Sequence, residues 1–142
     1  MNKLVFFFFL SVLWACDNPT PNDILPDTQV NVTIDLNLPS YQNLLVPGGY
    51  KLLSKTENPS FGIKGILIYN HGGNYLAYER ACPHLGVAEC TAMTFDGLLL
   101  KCTCDNSVFN IFNGGVSQTA GVEYTAREYH VEGTSTLRIT NF

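Results

Sequence analysis

Two short stretches bring metal-binding and sulfur chemistry into one part of the chain: Cys82-Pro83-His84 and, further on, Cys102-Thr103-Cys104-Asp105, with Cys90 between them. Thiolate sulfur and imidazole nitrogen suit iron, zinc and copper, while carboxylate oxygen suits harder ions. A tetrahedral zinc set can be drawn from Cys82, His84, Cys102 and either Cys104 or Asp105, although C-P-H plus C-T-C is not a usual zinc spacing. Of the five cysteines, Cys16 stands alone near the start and the other four are grouped. In an oxidising compartment an even set so closely placed points to disulfides, a metal, or one of each. His71, in a Gly-Gly turn, reads as solvent exposed and His130, alternating with Tyr129 and Val131, as a sheet-face position; neither has a ligand partner at a recognisable spacing. No Ser-His-Asp arrangement is present.

The elements that must position these groups are strands. Val30, Val32, Ile34, Leu36 and Leu38 alternate with polar neighbours, the period-two pattern of a half-buried strand. After the "VPGGY" turn, "GILIYN" and "NYLAYERAC" flank His71-Gly72-Gly73 as a hairpin. "MTFDGLLLKC" repeats the idea around Asp96-Gly97, "SVFNIFNGG" adds a strand, and "REYHVEGTSTLRITNF" closes with a hairpin around Gly133. Val108, Phe109, Ile111 and Phe112 read as core or sheet contact. Many short strands punctuated by turn residues imply an all-β domain, a small antiparallel β-sandwich or barrel. The two cysteine-bearing stretches each follow a strand, so both are expected as loops at one tip.

The chain's 142 residues suffice for one domain, and 8 Lys+Arg against 12 Asp+Glu argues against a nucleic-acid partner. The opening "MNKLVFFFFLSVLWAC" has a basic start at Lys3 and a short apolar run from Leu4 to Ala15, the layout of a secretory signal. Its last letters resemble the lipobox of bacterial lipoproteins, which implies cleavage after residue 15, lipidation of Cys16 and a membrane-anchored protein of the bacterial cell envelope, facing the periplasm or exterior. Residues 16–29, with three prolines among polar residues, read as the lipidated cysteine and an extended tether; 30–142 is the folded domain.

Cys82-Pro83-His84-Leu85-Gly86 resembles the first ligand loop of the Rieske family, and Cys102-Thr103-Cys104-Asp105-Asn106-Ser107 with Phe109 resembles the second. The likeness spans roughly residues 30–142 and implies a Rieske-type β domain with a 2Fe-2S cluster held by two cysteines on one iron and two histidines on the other. Carried over by position, Cys82 and Cys102 bind the inner iron and His84 the outer one; the fourth ligand falls on Asp105 in place of histidine. The family's disulfide between the loops falls on Cys90 and Cys104. Asn106 stands where the family has glycine, a residue that tolerates left-handed backbone. The loop that covers the cluster survives as Ala120-Gly121-Val122 without its proline, while Tyr129-His130-Val131 keeps the family's Tyr-x-Val strand.

The resemblance leaves two readings open. In the first, a lipid-tethered Rieske-like domain passes one electron between redox partners, at a potential lowered by the carboxylate. In the second, the scaffold has lost its cofactor, Cys82–Cys102 and Cys90–Cys104 are disulfides, and the protein is a structural or binding module. A stand-alone oxygenase needs a second, mononuclear iron domain, for which the chain has neither the length nor the clustered ligands.

Overall fold

A computed structural model describes residues 24–142, and the expected signal peptide and Cys16 lie outside them. Among the described residues ten strands form two antiparallel sheets: β1 Asn31–Asp35, β2 Tyr50–Ser54, β3 Gly65–His71, β4 Asn74–Glu79, β5 Thr94–Asp96, β6 Leu99–Lys101, β7 Val108–Asn110, β8 Val116–Ser117, β9 Glu128–Glu132 and β10 Thr136–Thr140. The larger sheet runs β1-β10-β9-β4-β3-β2 and the smaller β5-β6-β7-β8. The expected all-β, antiparallel architecture is present. Among the described residues no helix is long and apolar enough to cross a membrane.

Strand β3 shows why the chain needs two layers. Its unbroken apolar run is buried from Gly65 to Asn70 because its two faces serve different cores. Ile66 and Ile68 join Val32, Ile34, Ala77, Leu137 and Ile139 inside the curl of the larger sheet. Leu67 and Tyr69 point the other way, into a core shared with Tyr78, Leu100, Phe109 and the cysteines. That second core is the floor of the candidate site.

Several expectations shift at the element ends. Strand β1 stops at Asp35, so Leu36 is still buried but Leu38 is 49% exposed. The segment Pro39–Leu45 is a 3-10 helix that strand periodicity cannot reveal; it is held by Asn70 Nδ2 and Tyr75 Oη, which both donate to the Leu44 carbonyl. Beyond Asn110 the chain leaves the strand for a 3-10 turn, capped when the Asn110 side chain accepts from the Phe112 amide. Phe112 is thereby partly exposed, and it packs on His71 and edge-on against Tyr69 of β3, a sheet contact at the rim of the second core. The expected tether also ends sooner than its prolines imply: Leu25 is buried against Ile63 and Ala81.

Candidate metal and disulfide centre

The first loop leaves β4 and returns to β5. Its base is closed when the Met93 amide donates to the Arg80 carbonyl at 2.6 Å and Arg80 Nε donates to the Met93 carbonyl at 3.0 Å. The second loop joins β6 to β7 in a tight turn: the Cys102 amide donates to the Ser107 carbonyl, and the Asn106 amide donates back to the Cys102 carbonyl. Among the described residues, Asn106 is the non-glycine residue with positive φ, at 64°. An asparagine is therefore found where the backbone requires the left-handed region.

The two loops meet, as their spacing implied. Cys82 and Cys102 form a disulfide with Cα atoms 5.7 Å apart, and Cys90 and Cys104 form a second at 5.8 Å. The hydroxyls of Thr91 and Thr103 lie 2.8 Å apart and add a polar tie. Cys82, Cys90 and Cys102 are buried in the second core, whereas Cys104 is at the surface.

His84 and Asp105 close the tip. His84 Nε2 lies 2.6 Å from Asp105 Oδ2. The same carboxylate accepts from the Ser107 hydroxyl at 2.6 Å and from the Ser107 amide at 3.0 Å. Partial burial pushes the Asp105 carboxyl upward, but hydrogen bonds from Ser107 and His84 outweigh it and hold the group at about 2. An ionised carboxylate has no proton to give, so the contact is donated by His84 Nε2–H. In the neutral imidazole that leaves a lone pair on Nδ1, and Nδ1 is buried with no hydrogen-bond partner. His84, Cys102 and Asp105 each present a ligand atom within 4.8 Å of the others.

Of the six residues read as ligands or bridges around these loops, all converge. What sequence reading missed is one wall of the imidazole, Tyr124; the other, Phe109, belongs to the second-loop resemblance. Tyr124 and Phe109 flank the imidazole, with ring centroids 6.0 and 5.8 Å from that of His84. Tyr124 follows the Ala120-Gly121-Val122 loop, which was the available signal. Also missed was Glu79, fully buried just before the first loop. Its carboxylate accepts from the amides of Ile63, Lys64 and Ala81 and from the Tyr129 hydroxyl. Burial, and then the Glu79 charge, push the Tyr129 hydroxyl pKa well up.

No protein-family model matches the chain, and no curated protein matches it in sequence. Among solved structures it is similar to the ferredoxin of carbazole 1,9a-dioxygenase from Nocardioides aromaticivorans IC177, at 16% identity and a TM-score of 0.49, over 80% of this chain and 97% of that one. It is also similar to a chain in the complex of reduced oxygenase and oxidized ferredoxin in carbazole 1,9a-dioxygenase, at 16% identity and a TM-score of 0.48, over 80% of this chain and 94% of that one. The chemistry of the tip rests on its own residues.

Proposed function

We propose that this is a lipid-anchored, Rieske-like electron carrier, held to a membrane of the bacterial cell envelope through Cys16, with an iron-sulfur centre at the two-loop tip. The observation that carries the reading is the buried, unpartnered Nδ1 of His84, on a side chain whose ligand atom lies within 4.8 Å of those of Cys102 and Asp105, with Cys82 joined to Cys102. A buried polar atom without a partner costs about 1–3 kcal/mol, and a metal would satisfy it. The donor set fits in three of its members: Cys82 and Cys102, with Cα atoms 5.7 Å apart, would supply two thiolates once reduced, and His84 an imidazole whose other nitrogen is oriented by a carboxylate, the usual support of a ligating histidine. Asp105 is the fourth, and to ligate it would give up its contact with His84 while Ser107 continues to hold it.

When bound, a 2Fe-2S group supplies a one-electron couple. The chain's own residues set the conditions. Cys82 and Cys102 would hold the group only once an external dithiol has reduced their bond by exchange and been oxidised to its own disulfide; Phe109 and Tyr124 wall the imidazole; and the Asp105 charge would favour the oxidised state, lowering the potential relative to a two-histidine site.

The second reading is a cofactor-free binding or structural lipoprotein, and a specific observation favours it. The two disulfides and the His84–Asp105 pair tie the loops together through the chain's own side chains. Iron and sulfide analysis of anaerobically purified protein separates the two. The carrier contains about two irons per chain and absorbs in the visible. Colourless, iron-free protein whose unreduced peptides link Cys82 to Cys102 establishes the second reading instead.

A further inference from the structure

The chain joins its domain at the tip that carries the site. Leu25 packs on Ile63 and Ala81, with Val87 beside them; Ala81 immediately precedes Cys82, and Val87 belongs to the first loop. Arg127 fixes this path by donating from its two terminal nitrogens to the carbonyls of Leu25 and Pro26, each at 2.9 Å. Arg127 is itself level with the end of β4, because its carbonyl accepts from the Glu79 amide.

The consequence rests on the proposed anchor at Cys16. Leu25 follows Cys16 by nine residues, a reach of no more than about 30 Å. A domain of this size is about 35 Å across, so the path over its surface from the tip to the opposite end is about 55 Å. The tether cannot cover that path, so the tip is kept from pointing away from the bilayer.

On this same end lies a cleft of about 540 Å³ between the end of β2, the Ile63-Lys64 segment and the first loop. The charged residues among those lining it are Lys55 and Lys64, with Thr56 and Thr91 as polar and Ile63 and Val87 as apolar lining. A chain of net charge -4 thus presents a positive cleft at its membrane-proximal end. We infer that this cleft docks on the anionic headgroup face of the bilayer, with Lys55 and Lys64 against lipid phosphates, so that the tip is held at the membrane surface and its partner is membrane-resident.

The test is hydrogen exchange on the full lipidated protein in vesicles of phosphatidylcholine alone and of phosphatidylcholine with phosphatidylglycerol. Peptides covering 54–64 and 87–92 are expected to exchange more slowly in the anionic vesicles, by roughly fivefold for each lysine engaged. High salt, and the double variant Lys55→Glu with Lys64→Glu, should each remove that protection, since the attraction is screened within a Debye length of about 8 Å at physiological salt. Equal exchange in both vesicles, or protection of the 71–74 and 96–99 turns at the opposite end, overturns the inference. The intact mass separates this from the anchor itself. Acylated Cys16 without protection removes the docking alone, whereas unmodified Cys16 removes the anchor and the docking with it.

Discussion

At the residue scale, Asp105 is the position on which the chemistry turns, and its ionisation can be tested without any cofactor. Its carboxyl is lowered from 3.8 to about 2 in the folded protein. A carboxylate depressed in this way contributes stability that is fully present above the unfolded value and is lost as pH falls through the folded one. The window is therefore about pH 4 down to pH 2. The side chain is 37% exposed, so solvent screening keeps the effect modest. Urea midpoints at pH 5 and pH 2 should fall in the parent, and fall less in Asp105→Asn; an equal fall in both assigns the acid sensitivity elsewhere. Much of this site was legible in the spacing of the cysteines. The pairing of His84 with Asp105 was not, because it depends on the sideways approach of two loops that are 21 residues apart. Nor was Tyr124, whose position depends on a third loop.

The strands hold the tip through a carboxylate that strand periodicity hides. Glu79 ends a strand in which a charged residue is expected to face water, yet it is fully buried and anchors the Ile63-Lys64 amides to the start of the first loop. The close approach requires glycine next door: Gly62 has φ of 71°, and a Cβ there would run into the Glu79 carboxylate. Glu79→Gln keeps the shape but turns an NH2 towards groups that can only donate or are already donating. It should cost about 2 kcal/mol, a drop of roughly 1 M in the urea midpoint. Tyr129→Phe removes one of the four donors and should cost about half as much. If the two variants are equally stable, Glu79 is not the hub. Strand existence was readable wherever apolar residues alternate or run unbroken, as in β1 and β3. It failed at β2, whose burial is graded rather than alternating, and at the 3-10 segment Pro39–Leu45, which is stabilised by distant donors.

At the scale of the whole molecule, two cross-links tie the first loop to the second, and with them the two strand pairs from which the loops spring. Cys82–Cys102 spans 20 residues and Cys90–Cys104 spans 14. By loop-closure entropy each removes about 3 kcal/mol of freedom from the unfolded chain. The two functional readings differ in which of these bonds the working protein keeps. A carrier needs Cys82 and Cys102 as thiolates and retains only Cys90–Cys104; a cofactor-free module keeps both. Replacing Cys90 and Cys104 together by serine should therefore lower the melting temperature in either case, by roughly 10 °C for a domain of this size. Replacing Cys82 and Cys102 together divides them. In iron-free protein the loss should match that of the first pair, because only a cross-link of similar length is removed. In iron-loaded protein the same change should also abolish the visible absorption and release the iron. Melting curves of both double variants, with and without iron, check this. A Cys82/Cys102 variant as stable as the parent would mean that neither bond nor metal joins those two sulfurs in solution.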